Sequence, residues 1–313
     1  MKVLVTAIGG DIGNGIGRIL RQSGLATRLI GCDIHADHLG AAVSDQCQVV
    51  PRVDAKSYED SLLAIAKQHA IELIIPTSEP ELRFFSKAGG KTAIGGIPLL
   101  TANQAALELG FHKLATARFL EQHGLPFPWT GPVSEGEPKQ FPCIVKSRFG
   151  ASSNDVRVVE SAALADAYRK IHPAYIWQEL VGAVEDEYTC GVYRSQSGET
   201  RVITIRRRLH AGITNYGVVI DSPDIERLCI AVADKMMLTG SINIQLRLTP
   251  RGPMVFEINP RFSSTVMFRH LLAFQDLIWS ISDKMSGSVP PYASRPPAGV
   301  KIFRQTEEMI VSR

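Results

Sequence analysis

Four side chains in the last third of the chain carry oxygen at a spacing that suits a metal ion. In "SINIQLRLTPRGPMVFEINPRFSS" (241–264), alternation along two extended runs puts Asn243 and Gln245 on one face of the first strand. It puts Glu257 and Asn259 on one face of the second. The intervening "PRG" (250–252) suits a three-residue hairpin loop, with Gly252 free to take a left-handed conformation. That odd loop length sets Gln245 opposite Glu257 and Asn243 opposite Asn259, all on one face. A single carboxylate among amide oxygens is a donor set for magnesium, or for manganese, with room left for phosphate oxygens. Arg261, two residues beyond Asn259, adds a fixed cation for a phosphoryl or carboxylate group. The competing reading, a polar outer face of an ordinary hairpin, weakens because acid, amides and arginine coincide.

A second stretch points to different chemistry. "VLVTAIGGDIGNGIGRIL" (3–20) is a strand-like run, a glycine turn and a helical pattern, with Gly9, Gly13 and Gly15 in G-x-x-x-G-x-G spacing. Such a turn offers backbone amides to a phosphate, and Asp33 ends the next strand about where a ribose-binding acid sits. This is the reading of an NAD-dependent, short-chain-dehydrogenase-like oxidoreductase. That chemistry also needs a Tyr-x-x-x-Lys pair, and none of the seven tyrosines has a lysine four residues on. A glycine fingerprint alone is weak, since the same turn lets a helix pack closely on a sheet.

The elements that must position these residues follow from periodicity. Apolar runs at 3–6, 28–32 and 72–75 read as buried parallel strands, with a helix over 57–70 that Ser57 caps. Residues 103–133 read as two helices and a Pro-rich exit. Strands at 141–147 and 174–180 flank a helix at 161–171; further strands are read at 186–194, 200–209, 241–248 and 253–259. Helices are read over 225–239 and from 263 to about 285, and the Pro-rich end reads as irregular cover. The fold class is α/β with an α+β C-terminal part, and the Pro-rich exit marks a boundary near 125–135. The 313 residues carry a net charge of +3, which gives no argument for a nucleic-acid or membrane partner. Five scattered cysteines without C-x-x-C spacing fit reduced thiols in a cytoplasmic protein.

"FEINPR" closing one strand and "NIQ" on its neighbour resemble the metal-binding end of the ATP-grasp superfamily, in particular the ATP-grasp units of carbamoyl-phosphate synthetase large subunits. The resemblance covers essentially the whole chain and implies an N-terminal pre-ATP-grasp domain with a parallel sheet over 1–105, linker helices and a lid over 106–185, and a C-terminal part holding the metal site over 186–313. It implies ATP and magnesium, with Gln245, Glu257 and Asn259 as metal ligands and Asn243 beside them. Lys113 and Lys146 then contact ATP phosphates, and "RFGASSND" (148–155) forms a flap with Ser152 and Ser153 on the phosphates. One glycine and two serines stand there where glycines are commoner. In "WQELVGAVEDEYTCGV" (177–192), Glu179 with the backbone of Leu180 and Val181 forms an adenine hinge, and Glu185 or Glu187 accepts from the ribose.

His210 occupies the place of a histidine near the phosphates. Of Arg206, Arg207 and Arg208, alternation separates the middle one from its neighbours without saying which face meets the site. The implied reaction joins a small-molecule carboxylate to an amine at the expense of ATP, with Arg261, Lys146 and His210 as its reactive-end residues. A catalytically silent ATP-binding module is the other alternative. Homodimers are common among the relatives. The opening glycine loop becomes one wall of the acceptor cleft.

Overall fold

The computed structural model describes residues 1–150 and 155–305. The N-terminal layer is a four-stranded parallel sheet of β1 (Lys2–Thr6), β2 (Arg28–Asp33), β3 (Gln46–Val49) and β4 (Leu73–Ile75), in the order β3-β2-β1-β4. The chain therefore turns to opposite sides after β1, and the crevice at the carboxyl ends of β1 and β4 is the switch point at which open α/β sheets seat ligands. α1 (Asp11–Ser23) follows β1, α2 (Gly40–Val43) precedes β3, and α3 (Tyr58–His69) leads to β4. Ser57 makes no side-chain cap to α3, because its backbone is turn-like rather than extended. α4 (Glu79–Lys87) starts instead at a full capping box between Ser78 and Glu81.

One face of the sheet packs Val3, Val5 and Leu73 against Ile16 and Ile19 of α1 and against Val266, Leu277 and Ile281 from far down the chain. The other face buries Leu4 and Ile74 with Leu62 and Phe85. A hairpin of β5 (Ala93–Ile94) and β6 (Ile97–Pro98), too short to carry a period, leads to α5 (Gln104–Gly110) and α6 (Lys113–Gln122).

The middle of the chain builds a small antiparallel sheet of β7 (Thr130–Pro132), β8 (Cys143–Lys146), β9 (Arg157–Val159) and β10 (Ile176–Glu179), covered by α7 (Ala162–Ile171). Its order is β7-β10-β8-β9, so the Pro-rich exit pairs as an edge strand, where proline costs no ladder bond. The largest sheet runs β15-β14-β11-β12-β13-β16. Its strands are β11 (Glu187–Arg194), β12 (Thr200–His210), β13 (Ile213–Val219), β14 (Gly240–Thr249), β15 (Gly252–Asn259) and β16 (Lys301–Phe303). α8 (Pro223–Lys235) buries Ile225, Cys229 and Val232 against Cys190, Ile242 and Ile244. α9 (Val266–Leu271) and α10 (Asp276–Ser286) complete the fold. β16 pairs the expected irregular tail onto β13, fixed by Arg304, which donates to the carbonyls of Thr214 and Ser264 and to Asp11.

The glycines of the opening turn serve close packing. A Cβ on Gly13 would lie 2.4 Å from the Ala7 carbonyl oxygen and 2.7 Å from Ile8 Cα, both backbone atoms that cannot yield. One on Gly15 would lie 3.0 Å from Val266 Cγ1. Asp33 is likewise occupied, accepting the Gly9 N–H at 3.0 Å and the Ile34 N–H at 2.8 Å. Gly13→Ala should therefore cost roughly 2 kcal/mol or more of stability in urea unfolding. Gly10→Ala, whose nearest contact is 3.3 Å, should cost well under half of that.

Candidate active site

A cleft of about 620 Å³ opens between the carboxyl ends of β1 and β4 and the face of the large sheet. From the parallel sheet come the Gly10–Gly13 turn and the Thr77–Glu79 start of α4; from the other side come Gln245, Glu257, Asn259 and Arg261. Gln245 stands opposite Glu257, and Asn243 opposite Asn259. The route to this register differs from the expected one. The turn is the two residues Pro250 and Arg251, with Thr249 paired to Gly252, and a β-bulge at Phe256 supplies the odd residue.

The donors divide by burial. Glu257 faces the cleft, and its ion pair among the described residues is a long contact of 3.9 Å from Lys113 Nζ. Asn259 also faces the cleft, but Gln245 Oε1 already accepts from Arg207 Nη2 at 2.9 Å. Asn243 is fully buried behind them, accepting from Thr189 Oγ1 at 2.9 Å, with its Nδ2 unpartnered among the described residues. No group of three His, Cys, Asp or Glu that could hold a metal occurs among the described residues. One carboxylate with amide oxygens fits a hard cation that takes its remaining ligands from phosphate and water.

Cations surround this carboxylate. Lys146, at the end of β8, is 5% exposed, and its Nζ lies 5.7 Å from the Phe256 ring centroid. Burial pulls its pKa down to about 8, which Glu257 opposes and Lys113 and Arg247 reinforce. Lys113 opens α6, and its ammonium donates to the Gly150 carbonyl. Glu187 is buried between two arginines: Arg207 at 2.8 Å and Arg247 at 3.0 Å. Arg207 thus points to the cleft, while Arg206 and Arg208 are exposed. Burial lowers the pKa of Arg261, opposed by Glu79 and Glu257. Five cations converge where two of the facing acids, Glu187 and Glu257, lie among them, a field made for a polyanion.

Residues 180–307 match the family described as ATP-grasp in the biosynthetic pathway with Ter operon, and residues 15–100 match the PylC-like N-terminal domain. The C-terminal part of the chain is thus similar to the ATP-grasp family. A carbamoyl phosphate synthase large chain of Paenarthrobacter aurescens is 26% identical over 280 residues, 80% of this chain and 24% of that protein. The chain thus spans about a quarter of the length of the curated relatives it matches. The ATP-grasp fold is also shared with the N5-carboxyaminoimidazole synthetase of Staphylococcus aureus solved with ADP. Its TM-score is 0.73 at 14% identity, covering 90% of this chain and 77% of that one. The L-amino acid ligase of Bacillus licheniformis gives a TM-score of 0.70 at 17% identity, covering 91% and 74%.

Other residues that the ATP-grasp resemblance implied fall elsewhere. His210 is exposed at the end of β12, beside the Ala211–Gly212 turn, and does not border the cleft. Glu179 is taken up structurally: it accepts the Trp129 N–H at 3.2 Å and a short bond from Arg251. The Val181 carbonyl accepts from Arg247 Nη1 at 3.1 Å, whereas Leu180 is half-buried beside it. Glu185 is exposed and borders a separate small pocket with Arg206 and Arg208. Ser152 and Ser153 lie outside the described residues. Arg247 and Phe256 border the cleft without having been expected there, although alternation already sets Arg247 on the face of Gln245. No helix among the described residues is long and apolar enough to cross a membrane.

Proposed function

We propose that this protein is an ATP-dependent, ADP-forming carboxylate–amine ligase. The observation that carries the reading is the convergence of Lys113, Lys146, Arg207, Arg247 and Arg261 around Glu187 and Glu257 in a cleft that the glycine turn also borders. On this reading residues 1–105 offer the acceptor side, 106–185 the linker and lid, and 186–313 the metal end. Phosphoryl transfer asks mainly for positioning and charge neutralisation, which these side chains supply without a covalent nucleophile.

A carboxylate oxygen attacks the γ-phosphorus of ATP, the bond to the β-phosphate oxygen breaks, and ADP leaves. The amine nitrogen then attacks the acyl carbon, the carbon–oxygen bond to phosphate breaks, and the nitrogen loses a proton as the amide forms. Lys113 and Lys146 hold the phosphates, and Arg261 orients the carboxylate from the floor of the cleft. Glu257 and Asn259, with Gln245 close by, would hold a magnesium ion, which would supply further neutralisation when bound. On the facing wall Asp11 is paired with Arg304 and Glu79 with Arg83 at 2.9 Å, so the amine meets a wall whose acids are already neutralised.

A ligand that binds only the native state raises the melting temperature. Mg-ATP at a hundredfold excess over its Kd should stabilise the protein by about 2.7 kcal/mol, and NADH should leave it unchanged. An NADH response without an ATP response would overturn the ligase reading in favour of the oxidoreductase. ADP release across a panel of amino-acid pairs then tests turnover, and none with any pair would favour the silent module.

A further inference from the structure

A second large hollow adjoins Arg261. It measures about 520 Å³ and lies on the other side of the segment from Asn259 to Ser263, between the parallel-sheet unit and α10. Alternate residues part company along that segment. Asn259 and Ser263 border the cleft, Pro260 and Phe262 border the second cavity, and Arg261 borders both.

Its walls hold more donor capacity than the protein uses. The guanidinium of Arg261 has five N–H groups, and its recorded bond is from Nη1 to the Phe262 carbonyl at 3.0 Å. Ser280 on α10 also borders the cavity; it is 5% exposed, and its Oγ has no hydrogen-bond partner among the described residues. Behind the wall, Ser241 donates to Asp276 at 2.5 Å, and Asp276 pairs with the fully buried Arg269 at 3.2 Å. Nε, Nη1 and Nη2 of Arg269 all lack a hydrogen-bond partner among the described residues.

One guanidinium group, that of Arg261, therefore lines this space, and a second is buried with Asp276 behind Ser241. Lys284 is exposed on its border, and Asp283 beside it is committed to the Gln196 N–H at 2.9 Å. The remaining wall includes Leu82, Leu100 and Phe262, which offer no bonds to a hydrated inorganic ion. An apolar body with one anionic end suits both halves of the lining.

We propose that this second cavity is a binding site for a small organic carboxylate of amino-acid size. Its carboxylate is met by Arg261 and Ser280, with the charge of Lys284 on the border drawing it in, and its apolar part lies against Leu82, Leu100 and Phe262. The proposal does not rest on the ligase reading, because it concerns binding on the side of Arg261 away from Glu257. Occupancy would nevertheless engage a side chain that the cleft shares, so the two sites are linked.

The probe is 4-methylpentanoate, with 4-methylpentan-1-ol as its uncharged counterpart, followed by saturation-transfer NMR on the full chain. The wild type should bind the carboxylate and not the alcohol. Ser280→Phe, which fills the cavity without touching the cleft, and Lys284→Glu, an exposed change that keeps the fold, should each weaken it roughly tenfold or more. Lys284→Glu reads the site even where Ser280→Phe does not fold. Absence of carboxylate binding to the wild type, equal binding of the alcohol, or unchanged affinity in Lys284→Glu would overturn the proposal.

Discussion

Glu257→Gln should lower ADP release on the order of 10³-fold while nucleotide binding stays detectable. The substitution keeps size and hydrogen-bonding capacity and removes the one charge among the oxygen donors at this end of the sheet. Its nearest recorded cation, Lys113, stands 3.9 Å away, so little ion-pair stability is lost with it. Lys146, Arg207, Arg247 and Arg261 still line the cleft, which on the proposed reading preserves binding. Titration with a fluorescent ATP analogue alongside an ADP-coupled assay separates the two effects. Equal loss of binding and turnover would mean that Glu257 holds the nucleotide rather than the transition state.

Lys146→Met should move stability in opposite directions with and without ligand. Burial holds the folded-state pKa of Lys146 near 8 against an ordinary 10.5, so the unfolded chain binds this proton more tightly than the native one. The buried charge therefore costs the ligand-free fold its full share below about pH 8, and the cost fades as pH rises toward 10.5. Removing it should raise ligand-free stability by roughly 3 kcal/mol at pH 7, with the gain vanishing above about pH 10.5. The same change should abolish most of the stabilisation by Mg-ATP, because Lys146 has no recorded hydrogen bond or ion pair of its own within the described residues. Urea unfolding across pH, with and without Mg-ATP, checks both signs. A loss of ligand-free stability at pH 7 would show that the ammonium supports the fold and is not held ready for an anion.

The pairing of four oxygen-bearing side chains was legible because strand alternation is local: a period of two fixes which of Asn243, Gln245, Glu257 and Asn259 share a face once the pairing parity is right. The parity itself arose from Phe256, and a bulge leaves no mark in residue type. Glu187 shows the opposite limit. Sequence allowed it as a ribose acceptor, yet the sheet order puts β11 between β12 and β14, which brings Arg207 and Arg247 onto it from 20 and 60 positions away. Glu179 was spent in the same manner by Arg251 from a neighbouring turn. The glycine turn was read correctly as strand, turn and helix, but its spacing answers to Ala7 and Val266 packing as well as to any ligand.

The bulge at Phe256 has a consequence for what the cleft can hold. Consecutive residues of a regular strand point to opposite faces, yet Phe256 and Glu257 both border the cleft. An aromatic surface and a carboxylate are thereby delivered side by side, about one residue rise of 3.3 Å apart along the strand. Lys146 and Arg247 approach the ring within 5.7 and 6.0 Å of its centroid. The change from greasy to charged surface is thus drawn within a single dipeptide. Deleting Phe256 would restore regular pairing with Gln245 still opposite Glu257, so the Gln245–Glu257 register and the aromatic floor are separable by one residue.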